Sequence, residues 1–274
     1  MIDDHRPRFR RRQLPRSPRG LPLRAVAPNA VTALALCSGL TGIRFAISND
    51  WQLAAAMIVL AGVLDGLDGR IARMVRGESR FGAELDSLSD AISFGVSPAL
   101  ILYLWSLNSL PRLGWICALM FAVFCALRLA RFNAAIDLAE QPHKMAGFLT
   151  GVPSPAGAGL AMLPMYLWFL TDEPMFRSSW LVAPWVALIA VLMVSSIASF
   201  SWASLKLRHS VRFEALAVLV VMGAAFASAP WHTLSFVCVA YLISLPFSMR
   251  NYARIKRLRA TPTVPPTAEL REPS

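Results

Sequence analysis

Long apolar runs, most near twenty residues, alternate with short polar breaks along this chain. The breaks fall at Asn49-Asp50, Gly77-Glu78, Asn108 to Pro111, Gln141-Pro142, Asp172 to Pro174, His209-Ser210 and Ala229-Pro230. The runs between them predict eight helices, over about 27–47, 51–75, 82–107, 113–136, 153–171, 180–205, 211–228 and 231–256. Runs of this length span about 30 Å of hydrocarbon. The predicted fold class is all-α, a polytopic membrane protein with about eight transmembrane helices. The ten-residue alternation of a membrane β-barrel is absent. Residues 1–24 are rich in Arg and Pro and lack apolar periodicity, which predicts a disordered basic tail able to meet anionic headgroups. Residues 25–256 form the expected membrane domain, and 257–274 a Pro-rich tail.

Composition agrees with a membrane chain. The sequence is 56% hydrophobic and only 16% charged, too little charge for a soluble domain of 274 residues. The formal charge of +11 raises the question of nucleic acid, and its placement answers it. With both termini cytoplasmic, 24 basic residues fall on the inner side: eight in the N-terminal tail, then Arg70, Arg73, Arg76 and Arg80, then Arg128, Arg131 and Lys144, then Lys206, Arg208 and Arg212, then six near the C-terminus. Arg112 and Arg177 fall outside, and Arg44 lies within the first helix. The charge is therefore membrane topology, and no nucleic-acid partner is expected. Arg10-Arg11-Arg12 before an apolar run imitates an export signal, but Arg44 inside the run and the lack of a cleavage site favour a membrane helix. Cys37, Cys117, Cys125 and Cys238 all sit in apolar runs without a CxxC pair and read as small buried hydrophobes.

Four acids interrupt this pattern. Asp65 and Asp68 close the second run, and Asp86 and Asp90 open the third. Acids at membrane depth are costly and by default mark a functional site. The twelve apolar residues from Leu53 to Leu64 cover about 18 Å. Asp65 then lies toward the cytoplasmic side, with Asp68 one turn nearer the surface. The third helix returns antiparallel, so depth pairs Asp65 with Asp90 and Asp68 with Asp86. The i,i+3 and i,i+4 spacings put each pair on one helix face. Four bare carboxylates in a cytoplasmic cleft repel one another, and one or two divalent cations relieve this. All-oxygen ligands suit Mg²⁺, Mn²⁺ or Ca²⁺ rather than zinc. Gly66, Gly69 and Gly82 clear space for close helix approach or a ligand. Arg70 and Arg73 stand where a pyrophosphate can meet them. Simple pairing of the acids with these arginines is the competing reading.

The spacing from Asp65 to Asp90 is that of the CDP-alcohol phosphotransferase signature, Asp-x2-Asp-Gly-x2-Ala-Arg-x8-Gly-x3-Asp-x3-Asp. Asp65, Asp68, Gly69, Ala72, Arg73, Gly82, Asp86 and Asp90 match every position. The resemblance implies a six-helix core and a divalent metal, Mg²⁺ or Mn²⁺, with two ions possible. It implies that Asp65, Asp68 and Asp86 ligate metal, with Asp90 beside them as general base and within the metal-site set. It places Gly69, Ala72 and Arg73 at the CDP moiety. Pro28-Asn29-x2-Thr32 resembles the family's nucleotide-side motif, which adds Asn29 and Thr32, with Gly82, to the expected CDP-diacylglycerol contacts.

Further segments resemble the bacterial branch of that family whose acceptor is L-serine. They are Asp86 through Ala99, Arg128-Leu129-Ala130-Arg131-Phe132-Asn133, Phe148 through Ala156, and Leu192 through Ser195. Arg128 and Arg131 share a helix face and offer a cationic pocket for a carboxylate or phosphate. Ser154, between two prolines, can hydrogen-bond an acceptor. The resemblance implies a homodimer in the bacterial cytoplasmic membrane, with membrane lipid around it. It implies transfer of phosphatidyl from CDP-diacylglycerol to L-serine. Another acceptor (glycerol 3-phosphate, an inositol phosphate or choline) uses the same chemistry. A divalent-cation transporter is the alternative from another class, although the acids gather near one face and no repeat is evident.

Overall fold

A computed structural model describes residues 23–75, 79–136, 148–195, 198–200 and 212–260. Helix α1 (Leu23–Ile47) and α2 (Trp51–Val75) form an antiparallel hairpin. Its turn places Asn49 in the left-handed region at φ 59°. The Asp50 carboxylate then accepts from the Leu53 N–H at 3.1 Å, satisfying a free donor at the start of α2. Ser79 does the same for α3 (Arg80–Trp105), its hydroxyl accepting from Gly82 N–H at 3.0 Å. The middle of α3 widens into a π turn over Ala91–Val96, directly after Asp90.

Helix α4 (Leu113–Ile136) packs along α3 and against α8 (Ser179–Val194). Between them lie α5 (Ser154–Ala161), α6 (Leu163–Thr171) and the short α7 (Pro174–Arg177). Helices α9 (Arg212–Ser228) and α10 (Pro230–Ala260) complete the described chain, and α10 packs on α6. Strands β1 (Phe148–Thr150) and β2 (Ala198–Phe200) pair antiparallel, Phe148 opposite Phe200.

Five of these helices are long and apolar enough to cross a membrane: α1 to α4 and the first part of α10. The protein is an all-helical, multi-pass membrane protein apart from that one strand pair. The expected eight crossings are therefore met in part. Several sequence boundaries also move. The predicted helix over 153–171 breaks at Met162, ahead of Pro164, which has no N–H for a continuing ladder. The helix predicted to run to 205 stops at Val194, because Ser195 turns extended (φ −60°, ψ 154°) and leads toward β2. The first helix starts at Leu23, so Pro28 lies inside it rather than at its opening. The last helix runs on to Ala260. Of the expected tails, 1–24 and 257–274, residues 23–24 and 257–260 are helical, and the remainder, like Lys144, lies outside the described residues.

Phe94 of α3, Phe121 of α4, Tyr166 of α6 and Met193 of α8 are all buried in the hydrophobic core. Trp105 belongs to this core at 1% exposure, whereas Trp180 faces outward. At the end remote from the acids, Arg177 donates from Nε to the Trp105 carbonyl at 3.0 Å. Its guanidinium lies 5.7 Å and 5.3 Å from the ring centroids of Trp51 and Trp168. That clamp ties α7 to the ends of α2, α3 and α6. All four cysteines are free thiols, with Cys125 and Cys238 buried and Cys37 exposed.

Candidate active site

Close approach of α1 and α3 forms the floor of the site. A Cβ at Gly39 would lie 2.8 Å from Ser93 Oγ and 2.9 Å from Ser93 Cα. Two hydroxyls of α3 donate to backbone carbonyls of α1, Ser89 to Thr32 at 3.2 Å and Ser93 to Ala35 at 3.2 Å. These bonds cross a buried, apolar contact where water cannot substitute. They fix the rotation of α3, and with it the direction of its acids.

Asp65 and Asp68 of α2 and Asp86 of α3 converge, each offering an oxygen within 4.8 Å of the others. Asp68 is the most enclosed, at 5% exposure, and its Oδ2 accepts from the Thr32 hydroxyl at 2.6 Å. Asp90 lies one turn further along and stands within hydrogen-bonding reach of Asp65. The depth pairing of Asp65 with Asp90 is thus present, and Asp68 and Asp86 meet in the same cluster. Among the described residues, no arginine is ion-paired to any of the four acids. Among the described residues, the one arginine whose charge acts on these acids is Arg128, on Asp90.

The donor set fits a hard divalent cation. Three carboxylates, half-buried or buried, bring only oxygen to one point, with no thiol or imidazole among them. The site opens into a cleft of about 290 Å³. Asn29, Thr32, Gly69, Ala72, Arg73 and Gly82 all line it, beside Asp68 and Asp86. Arg70 is exposed and lies off its wall. The glycines divide in their roles. Gly66 has open space where a Cβ would stand, and Gly69 meets only the Arg73 side chain at 3.8 Å. Neither serves close helix packing. A Cβ at Gly82, in contrast, would press to 2.9 Å against Asn29 Oδ1. The Asn29 amide nitrogen is buried without a hydrogen-bond partner.

A second wall comes from α4 and α5. Arg128 donates to the Ser154 hydroxyl at 2.7 Å, and Ser154 is fully buried. Arg128 Nε is buried without a partner, and its charge faces Asp90. Tyr241 of α10 lies close to the same guanidinium. Arg131 takes another course. It donates to the Val194 carbonyl at 2.7 Å and the Ser195 carbonyl at 3.3 Å, closing the C-terminus of α8. Asn133 donates to Ser87 Oγ at 2.8 Å, next to Asp86. No sequence pattern marks that bond, since the partners are 46 positions apart. Ser79 and Ala83 also line the cleft without having been singled out. A serine ahead of a helix start is the one cue that pointed toward Ser79.

A CDP-alcohol phosphatidyltransferase family model matches residues 25–196, which include all four acids and the Arg128–Ser154 wall. The chain belongs to the CDP-alcohol phosphatidyltransferase family. A second model, CDP-alcohol phosphatidyltransferase 2, matches residues 212–246. Among the family's members, the CDP-diacylglycerol–serine O-phosphatidyltransferase of Mycobacterium tuberculosis is 40% identical over 241 residues, covering 86% of this chain and 82% of that one. The Helicobacter pylori protein of the same name is 35% identical over 222 residues, covering 79% and 87%. That of Methanocaldococcus jannaschii is 39% identical over 168 residues, covering 61% and 70%.

Proposed function

We propose that this protein transfers the phosphatidyl group of CDP-diacylglycerol to L-serine, forming phosphatidylserine and CMP. The observation that carries the reading is the cluster of Asp65, Asp68 and Asp86 beside a nucleotide-sized cleft, with Asp90 and Arg128 adjoining. The names of the relatives support serine as acceptor.

Asp65, Asp68 and Asp86 would hold the divalent cation, Mg²⁺ or Mn²⁺, as one ion or two. When bound, it supplies positive charge to the pyrophosphate as the bond to CMP breaks. Asn29, Gly69, Ala72 and Gly82 give the CDP moiety a narrow slot, and the buried amide of Asn29 gains a partner there. Arg73 at the cleft mouth faces the phosphates. Arg128, steadied by Ser154, offers its free Nε to the serine carboxylate, and Arg131 braces the same wall through α8. Asp90 accepts the proton of the serine hydroxyl. That oxygen then bonds to the phosphorus carrying diacylglycerol, the phosphorus–oxygen bond to CMP breaks, and CMP takes the electron pair. The acyl chains stay in lipid while CDP and serine enter from water.

The same proposal places both termini and the cleft on the cytoplasmic side of a bacterial cytoplasmic membrane, with eight crossings. It takes 25–256 as the membrane domain, with tails before and after it, and extends to a homodimer, as the family resemblance implies. The test is an acceptor panel. Purified protein receives CDP-diacylglycerol, Mn²⁺ and one labelled acceptor at a time. Label should enter lipid from serine. Entry from glycerol 3-phosphate, an inositol phosphate or choline, and not from serine, would contradict the reading.

A further inference from the structure

We infer that Thr32 is a positioning residue for the metal-binding carboxylates and not a contact for the nucleotide. The inference rests on the metal reading of the acid cluster given above. Thr32 is buried, at 4% exposure, on the face of α1 that meets both acid-bearing helices. Its hydroxyl stands 2.6 Å from Asp68 Oδ2 and 3.1 Å from the Pro28 carbonyl. One hydroxyl carries one proton. A helical threonine ordinarily donates to the carbonyl four residues back. Here the carboxylate is the nearer acceptor, at a length typical of a hydrogen bond to a charged oxygen. The proton therefore goes to Asp68.

That bond restrains the side-chain rotation of Asp68 and leaves the carboxylate's remaining lone pairs for a cation. The backbone of Thr32 acts on the other helix. Its carbonyl accepts from Ser89 Oγ at 3.2 Å, and Ser89 directly precedes Asp90. One residue of α1 thus sets the geometry of an acid on α2 and of the backbone that carries an acid on α3. For Thr32 to donate to a nucleotide, its proton would have to leave Asp68. The most enclosed carboxylate of the cluster would then keep only the Gly69 N–H and lose its link to α1 at the moment it is needed. Outer partners of this kind hold ligating carboxylates in register, and their loss weakens metal binding by roughly 10- to 100-fold.

The test measures metal directly, with no lipid or serine present. The full chain and its T32V and T32S variants are purified in detergent, stripped of metal and titrated with Mn²⁺, free ion being read by electron paramagnetic resonance. T32V keeps the shape and loses the donor, so its Mn²⁺ affinity should fall about tenfold or more. T32S restores the hydroxyl and should bind within about twofold of the parent. With Mn²⁺ saturating, the KM of T32V for CDP-diacylglycerol should change less than its Mn²⁺ affinity does. If T32V does not fold, T32A carries the same expectation. A T32V protein that binds Mn²⁺ like the parent overturns the inference, whether its KM for CDP-diacylglycerol rises or stays unchanged. A parent that binds no Mn²⁺ overturns the metal reading itself, a separate and visible failure.

Discussion

Asp90 has different neighbours from the other three acids. It touches Asp65 and faces the charge of Arg128, while Asp65, Asp68 and Asp86 crowd together on the nucleotide side. This division predicts that Asp90→Asn lowers kcat by roughly 10²- to 10⁴-fold, the usual contribution of a general base, while Mn²⁺ affinity stays within about twofold. Turnover and Mn²⁺ titration on the same preparation check both halves. A D90N protein with full turnover removes Asp90 as base. Arg128 yields a complementary expectation. A hydrogen bond to a charged group is worth about 1.5–3 kcal/mol, so Arg128→Ala should raise the KM for serine roughly tenfold or more. The KM for CDP-diacylglycerol should hardly change, and Arg128→Lys should not rescue, because lysine lacks the fork that reaches Ser154 and a carboxylate together. An equal rise in both KM values would mean that Arg128 shapes the whole cleft. The residues of the acid cluster were legible in sequence because acids are rare in apolar runs and their spacing is helical. The bonds of Thr32 to Asp68 and of Asn133 to Ser87 were not, since they span 36 and 46 positions and arise only from packing.

The helices themselves carry the site only if α1 and α3 touch. Gly39 sits at that contact with Ser93 Cα in the way of any side chain. Backbone cannot swing aside as a long side chain can. Gly39→Ala should therefore push α3 away, cost about 1–3 kcal/mol as an overpacked contact, and lower turnover. Thermal unfolding in detergent reads the stability change, and an unshifted midpoint with parental turnover would show that the contact is loose. Hydrophobic runs announced most helices, because a membrane span must be apolar over its whole length. They did not announce the π turn after Asp90. One extra residue per turn leaves no mark in an apolar pattern, although such turns often accompany functional sites. The end of α8 at Val194 was hidden for a similar reason: Ser195 and Ala198–Phe200 are as compatible with a helix in sequence as with the extended residue and the strand observed there.

Taken as a whole, the molecule keeps its acids and cleft at one end and the Arg177 clamp at the other. On the proposed topology, the asymmetry of basic residues puts the acid end in the cytoplasm. Reporter fusions test this. A phosphatase that works only outside the cytoplasm should be active when fused after Leu110 or Asp172, and a cytoplasmic fluorescent reporter should light at the C-terminus. The opposite pattern would invert the topology and leave the cleft without access to cytoplasmic substrates. Net charge alone suggested other partners, and only its distribution along the chain corrected that. The central claim is a metal-dependent phosphatidyl transfer at the carboxylate cluster. Its most direct test is the stoichiometry of products from purified protein given CDP-diacylglycerol and L-serine. CMP and phosphatidylserine should appear one to one in Mn²⁺, stop when the metal is chelated, and resume when it is restored. Phosphatidylserine formed at the same rate under chelation would contradict the account.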